Sequence, residues 1–310
     1  MPANVESMFY VRQAPWHGLG VRVEEAPSSQ EALRLSGLDW QVIQQQITTV
    51  DGTPIPGYRA NLRDTDQQVL GVVTDRYRVV QNDEAFAFTD GLLGEGVKYE
   101  TAGSLQNGRK IWLLAKLPDK YIIEGDQIDP YLVFSSSHDG SGSIKVAMTP
   151  IRVVCQNTLN LALSSAKRVW STIHVGDLAG KMAEAHNTLL LAEKYMGQLG
   201  MEVSRLSKIK LSDQKVLQYI DQLLPMDDQP TEIHRKNITR IREDMKQRYF
   251  DAPDLKYVGK NAYRFINAVS DFATHAKPLR ETASYRENLF AKTMEGNPLM
   301  DRAYELVLAA

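Results

Sequence analysis

A stretch without any carboxylate side chain separates Asp139 from Asp177 in the middle of the sequence. The chain as a whole is close to neutral, with 36 Lys and Arg residues against 38 Asp and Glu residues, so this stretch is a local exception. Cations and amides without competing acids are typical of a surface that meets an anion, most commonly a phosphate backbone. Strands and a buried helix that tolerate few charges would give the same pattern. Five side chains in the stretch suit phosphate contacts: Lys145, Arg152, Asn157, Lys167 and Arg168.

Three further cations and two aromatic residues extend this hypothesis. Arg76 and Arg78 flank Tyr77 in a strand predicted from Val69 to Val80, so the two arginines would share one face of the strand and the tyrosine would occupy the other. Lys110 begins another predicted strand. The cations would neutralise phosphates, and Tyr77 or Trp170 would stack on a base. Cross-strand pairing of the arginines with acids would look the same in the sequence.

Two residues are candidates for covalent catalysis, but neither has a clear partner. Cys155 would begin a helix that runs to about Ala166, and a helix N-terminus lowers the pKa of a thiol. His138 lies beside Asp139 among serines, but adjacent residues of a strand point to opposite faces. No two histidines have metal-site spacing, and one cysteine cannot build a structural zinc site. The sequence therefore predicts no catalytic residue, metal or cofactor, and an enzyme is the less favoured class.

The elements that must position these residues differ between two halves of the chain. Residues 1–175 alternate strand patterns, short helices and turn signals such as Asn107-Gly108, which predicts an α+β domain with a mostly antiparallel β-sheet and packed helices. Residues 176–310 are patterned as helices throughout. One of these, predicted from Pro230 to about Phe250, is rich in lysine and arginine and is a second candidate for phosphate contact or simply a solvated face.

One helix of the second half has a heptad pattern. Apolar residues recur from Leu178 to Leu206 at alternating spacings of four and three, over about four heptads. Such a seam either packs a long helix lengthwise on its own domain, which is the simpler interpretation, or joins protomers of a homo-oligomer. Four seam residues are the oligomerisation candidates: Met182, Leu189, Met196 and Leu199.

The composition excludes several classes of protein. The net charge of −2 excludes a bulk polycation, and 43% hydrophobic residues are ordinary for a globular protein. No apolar run approaches the roughly 20 residues that span a bilayer. Residues 1–9 lack the basic and apolar regions of a signal peptide. A single cysteine suits a reducing compartment, so we expect a cytoplasmic protein without membrane association.

A series of motifs, in a fixed order over most of the chain, carries a resemblance to a known family: Trp16-His17-Gly18-Leu19-Gly20, Gly71-Val72-Val73-Thr74-Asp75-Arg76-Tyr77 with Asn82, Gly108-Arg109-Lys110-Ile111-Trp112, Ser137-His138-Asp139-Gly140-Ser141, Arg152-Val153-Val154-Cys155-Gln156-Asn157-Thr158 and Asn267-Ala268-Val269. Through these motifs the sequence resembles the phage- and plasmid-related proteins that are grouped as domain of unknown function 932. The family has no assigned activity, but its occurrence on phages, prophages and plasmids implies DNA biology of mobile elements. A fold-level similarity to phage single-strand annealing proteins, which combine a β-rich core with a helix across it and assemble as oligomers, is an analogy.

The residues and the resemblance together predict a protein of a mobile element that binds single-stranded DNA with little sequence preference. Annealing of strands by an oligomer extends this prediction and needs no covalent chemistry. One alternative is a protein-interaction module, such as an inhibitor of host defence, that binds a host or phage protein. A hydrolase that uses Cys155 or His138 is the less favoured alternative.

Overall fold

The computed structural model describes residues 5–12, 20–94, 97–117, 121–123, 125–152, 157–158, 169–279 and 297–309. Within these residues the fold is α+β and antiparallel strands dominate, which confirms the predicted fold class. Contacts between residues divide the chain into two units that do not follow the predicted boundary at residue 175. The first unit comprises Met1–Pro118, Tyr131–Met148 and Arg168–Ala192, and the second comprises Asp119–Pro130, Thr149–Lys167 and Glu193–Ala310.

The helices and strands have the following bounds. The strands are β1 (Val5–Val11), β2 (Val21–Val23), β3 (Val42–Thr48), β4 (Pro54–Arg63), β5 (Val69–Thr74), β6 (Lys98–Leu105), β7 (Lys110–Lys116), β8 (Tyr121–Ile123), β9 (Asp126–Ser137), β10 (Ile144–Arg152), β11 (Asn157–Thr158) and β12 (Val169–Thr172). The helices are α1 (Ser29–Leu35), α2 (Asn82–Leu93), α3 (Leu178–Lys208), α4 (Asp213–Leu223), α5 (Glu232–Phe250), α6 (Ala262–His275) and α7 (Pro298–Leu308), with a 3₁₀ helix at Pro253–Leu255. None of the helices in the described ranges is long and apolar enough to cross a membrane.

The larger sheet of the first unit has the strand order β10-β9-β7-β6-β1-β2, with β12 paired to β10. The hairpin between β6 and β7, predicted from Asn107-Gly108, is confirmed by the antiparallel pairing of the two strands, with Leu105 opposite Lys110. Asn107 and Gly108 both have positive φ, 57° and 81°. Asparagine and glycine tolerate that region of backbone space best. Between this sheet and the helices α1 and α2 lies an apolar core with members such as Phe9, Leu113 and Phe134.

A second, three-stranded sheet has the order β3-β4-β5. Its last strand ends at Thr74, whereas the sequence predicted a strand to Val80. Asp75 and Arg76 form a turn instead, and Tyr77 makes an isolated bridge with Val175. The predicted strand is therefore divided into β5, a turn and a single bridged residue.

Gln81 joins the start of α2 to β3. Its backbone N–H donates to the carboxylate of Glu84 at 2.8 Å, as in a capping box. Its side-chain amide pairs with both backbone polar groups of Val42: the N–H of Val42 donates to Oε1 at 2.8 Å, and Nε2 donates to the carbonyl at 2.9 Å. One glutamine thus fixes a helix terminus against an edge strand.

The long helix α3 confirms the helix predicted from Leu178 to Leu206. In its second half the heptad seam is buried within the chain, with Met196 and Leu199 only 1% and 0% exposed. These two residues are therefore unavailable to another protomer, and their assignment as oligomerisation residues was wrong. Met182 is half-buried, and the side chain of Leu189 lies outside the described residues.

A buried arginine holds together the helical part of the second unit. The guanidinium of Arg264, on α6, donates to backbone carbonyls at the end of α5 and in the segment that follows. The acceptors are Tyr249 at 2.8 Å, Phe250 at 3.2 Å, and Leu255 and Val258 at 2.9 Å each. The last carbonyls of a helix have no partner inside the helix, so this arginine satisfies groups that burial would otherwise leave unpaired.

The predicted helix from Cys155 to about Ala166 is wrong at its start. Asn157 and Thr158 form the strand β11, which pairs antiparallel with Arg152 and Ile151 of β10. These residues therefore belong to a strand ladder and not to a helix N-terminus. Cys155 itself lies outside the described residues.

Candidate functional site

A surface groove of about 300 Å³ lies in the first unit, where β5 meets the loop after β9 and the segment after β12. Three exposed apolar or aromatic side chains line it: Tyr58, Val72 and Ile173, which are 50%, 58% and 63% exposed. Buried side chains also line it, among them Tyr77 and His174. The groove therefore combines an exposed, largely apolar rim with a buried polar base.

The loop 138–142 forms one wall of the groove, through Asp139, Gly140 and Gly142. Asp139 accepts the N–H of Ser141 at 2.8 Å, and the hydroxyl of Ser137 accepts the N–H of Gly142 at 2.9 Å. The loop packs directly on β5: a Cβ atom at Gly71 would lie 2.5 Å from the Cα of Asp139. Glycine at position 71 thus permits the close approach of two backbones, a common reason for glycine in a strand.

Tyr77 and His174 stack in the base of the groove, with ring centroids 4.6 Å apart and an angle of 15° between the rings. The hydroxyl of Tyr77 donates to the backbone carbonyl of Ser137. Nδ1 of His174 must donate to the carbonyl of Arg78 at 3.0 Å, so Nε2 is the acceptor for the hydroxyl of Ser136 at 3.3 Å. Burial lowers the pKa of His174, which favours this neutral form.

These contacts correct the role predicted for Tyr77. The sequence suggested that its ring stacks on a nucleic-acid base at the surface. The side chain is instead 6% exposed, and its ring and hydroxyl are both occupied within the chain. Trp170, the other stacking candidate, is partly buried and packs against the apolar core of the first unit.

His138 begins the loop 138–142 and is completely buried. Its Nε2 is 3.0 Å from Oδ1 of Asn82. Because Nδ2 of Asn82 donates to the carbonyls of Leu38 and Trp40, Oδ1 is an acceptor and Nε2 of the histidine carries the proton. Burial is the main cause that lowers the pKa of His138 to about 3, so the ring is neutral. Nδ1 has no hydrogen-bond partner in the part of the chain that the structure describes.

The backbone of His138 is fixed as firmly as its ring. Its N–H donates to the carbonyl of Arg109 at 2.7 Å, and its own carbonyl accepts Nδ2 of Asn61 at 2.7 Å. A ring without exposed surface cannot contact a substrate at the surface. We therefore assign His138 to holding the loop in place, and not to catalysis.

The structure places two of the predicted phosphate-binding cations beside the groove. Arg76 and Arg78 flank Tyr77, and both are exposed. Neither side chain forms an ion pair with a described residue. Lys110 and Lys145 lie in strands opposite Ser137 and Ser171, and neither lines the groove.

The other predicted members of the phosphate site lie outside what the structure describes. Lys167 and Arg168 fall in a range that is not described, and so do the side chains of Arg152 and Asn157, whose backbones lie in β10 and β11. Their role stays a prediction.

Sequence reasoning missed two residues beside the groove, Tyr58 and Arg59 of β4. Tyr58 lines the groove, and the exposed Arg59 lies opposite Val73 of β5, which also lines it. The sequence contains one signal for these residues, because Tyr58-Arg59 repeats the order of Tyr77-Arg78. This signal alone could not assign Tyr58 and Arg59 to the site, since the sequence does not show that the two pairs come together.

The basic helix α5 is largely neutralised. Arg242 forms an ion pair with Asp221 at 2.8 Å, and Arg248 pairs with Asp244 at 2.9 Å. Such pairs reduce the attraction of a surface for phosphate. Within the described ranges, no three His, Cys, Asp or Glu side chains come together in a way that could hold a metal ion.

The family model for a domain of unknown function (DUF932) matches residues 69–293. The chain belongs to this family. The DUF932 match begins at β5 and includes the loop 138–142 and the segment 173–175, so most of the groove lies within the family domain, while Tyr58 precedes it. A search of curated proteins and a search of solved structures each found no match.

Proposed function

We propose that this DUF932 protein binds single-stranded nucleic acid, DNA in the first place, at the groove of the first unit. The observation that supports the proposal is the surface beside the groove. Arg59, Arg76 and Arg78 are exposed at positions adjacent to residues that line the groove, without an ion-pair partner among the described residues, and the half-exposed ring of Tyr58 lines the groove itself. Proteins that bind single strands without sequence preference combine cations that follow the backbone with aromatic rings that stack on bases.

The number of exposed arginines sets the salt dependence that we expect for binding. Each phosphate that a cation neutralises on a single strand adds about 0.7 to the slope of log affinity against log salt. Three arginines would contribute a slope of roughly 2 if each contacts one phosphate. Cations from the stretch between Asp139 and Asp177 would steepen it.

Annealing of strands, in an oligomer encoded by a phage, prophage or plasmid, extends the proposal. Met196 and Leu199 are buried within the chain, so such an assembly would use another surface. We place the activity in the cytoplasm, because the single cysteine of the sequence excludes an internal disulfide.

A second candidate is a protein-interaction module of a mobile element. The three-stranded sheet carries three exposed apolar side chains, Ile43, Val69 and Val72, which are 41%, 47% and 58% exposed. Contiguous exposed apolar side chains are typical of protein-binding surfaces. Capture of a protein by a variant that has lost all nucleic-acid binding would favour this candidate.

Fluorescence anisotropy with a labelled oligo(dT) of about 20 nucleotides tests the proposal over roughly 50–200 mM salt. We expect the double variant Arg76→Ala/Arg78→Ala to bind more weakly and to lose about 1.4 from the salt slope. The matched control is Arg235→Ala/Arg240→Ala, which removes two exposed arginines of α5 and should bind as the wild type does. Wild-type binding that does not depend on salt, or equal slopes in all three proteins, would refute the mechanism.

A further inference from the structure

The charge inside the groove differs from the charge beside it. Among the residues that line it, Asp139 carries a carboxylate and His174 is neutral, whereas the arginines stand outside the lining. A carboxylate repels phosphate. A nucleic-acid strand bound here would therefore keep its phosphates on the arginines and turn a base toward the groove.

The size and rim of the groove suit one base. Its volume of about 300 Å³ is at the lower end of the range for small-molecule sites, roughly 300–1,000 Å³. The half-exposed ring of Tyr58 offers a face for stacking, with Val72 and Ile173 as apolar neighbours. Stacking on an aromatic ring accepts every base, so it gives affinity but no choice among bases.

Asp139 supplies a means of discriminating among the bases. Its Oδ1 accepts the N–H of Ser141 at 2.8 Å, which fixes the carboxylate, and an ionised carboxylate can only accept further hydrogen bonds. Guanine presents two adjacent donors, N1–H and the N2 amino group, on its Watson–Crick edge. A carboxylate meets that pair with two parallel hydrogen bonds, while the other bases place an acceptor beside each ring donor or amino group on that edge.

Building on the proposed function, we propose that the groove binds a single nucleobase, stacked on Tyr58, and that Asp139 selects guanine. The site would make a general single-strand binder prefer strands with an accessible guanine. Phosphate contacts by Arg76 and Arg78 would set the salt dependence, and the base in the groove would set the preference.

The test compares oligo(dT) with the same oligonucleotide carrying one central guanine, adenine or cytosine, in the wild type and in two variants. We expect the wild type to bind the guanine strand about fivefold more tightly or better, at the low end of what a bidentate base contact supplies. Asp139→Asn should abolish this preference, because an amide turns one acceptor into a donor. The Asp139→Asn variant should keep the salt slope of the wild type. Asp75→Asn removes a carboxylate from an exposed turn residue nearby and should keep the preference.

Competition by the four nucleoside monophosphates against labelled oligo(dT) in the wild type supplies a measurement that needs no variant. Equal competition by all four nucleotides, or a guanine preference that survives Asp139→Asn, would overturn the assignment of Asp139 as the residue that selects guanine. If binding of oligo(dT) still depended on salt, the proposed function would stand. Wild-type protein that binds no oligonucleotide would overturn both.

Discussion

Replacement of Gly71 by alanine tests how the loop 138–142 is held against β5. The new Cβ atom would lie 2.5 Å from the Cα, 2.9 Å from the Cβ and 3.0 Å from the carbonyl oxygen of Asp139. Carbon atoms in contact normally lie about 3.5–4.0 Å apart, so the loop would have to move by roughly 1 Å. It cannot do so freely, because Asn61 holds the carbonyl of His138 at 2.7 Å and Asn82 holds its ring at 3.0 Å.

The expected cost follows from two opposing effects. Inserting a methyl group where there is no space costs roughly 1–3 kcal/mol. Alanine also restricts the unfolded chain more than glycine does, which favours folding by about 0.4–1 kcal/mol. The φ angle of Gly71 lies outside the left-handed region, so backbone strain adds nothing. We expect Gly71→Ala to lower the free energy of unfolding by about 1–2 kcal/mol and to weaken nucleic-acid binding at the groove.

Urea unfolding followed by circular dichroism measures the effect. Gly91→Ala is the matched control, because residue 91 lies in α2 and a Cβ atom there meets nothing within 4 Å. This control should be about 0.5–1 kcal/mol more stable than the wild type, as expected for alanine in place of glycine in a helix. If Gly71→Ala proved as stable as the wild type, the close packing of the loop on β5 would not be what holds the groove.

Two further predictions concern a buried neutral histidine and a buried arginine. The pKa of His138 is about 3 in the folded chain, whereas an ordinary histidine has a pKa of 6.5. Between these two values only the unfolded chain binds a proton on this ring. The free energy of unfolding should therefore fall by about 1.4 kcal/mol per pH unit as the pH drops below about 6. Urea unfolding between pH 7 and pH 5 should show a shallower dependence in His138→Gln, and an identical dependence would contradict this assignment. Arg264→Lys should destabilise the second unit by about 2–4 kcal/mol, since a lysine cannot satisfy four carbonyls. Arg240→Lys, at an exposed position of α5, should change stability by less than about 0.5 kcal/mol, and equal thermal unfolding of the two variants would count against the role of Arg264.

The parts of the fold that the sequence predicted well depend on local signals. Asn107-Gly108 needs only its own backbone preferences to define a hairpin, and the regular apolar spacing from Leu178 to Leu206 defines a long helix whatever it packs against. The α+β class follows from the order of such elements. Each of these features is encoded within a few turns or residues of chain.

The candidate site could be predicted only in part, because it joins residues that are distant in sequence. Arg76 and Arg78 were found from their own spacing. Their relation to Tyr58 and Asp139 depends on how β4 and the loop after β9 pack on β5. The burial of Met196 and Leu199 likewise depends on tertiary partners, since a heptad seam looks alike whether it faces its own chain or another.

The contact between Gln81 and Val42 has a consequence for the behaviour of the protein at high concentration. Among the described strands, β3 is at the edge of its sheet, and exposed edges are where foreign backbones add to form aggregates. At Val42 the donor and the acceptor that an incoming strand would need are already taken by one side-chain amide. Gln81, at the start of α2, therefore also prevents a strand of another molecule from pairing with this end of the sheet.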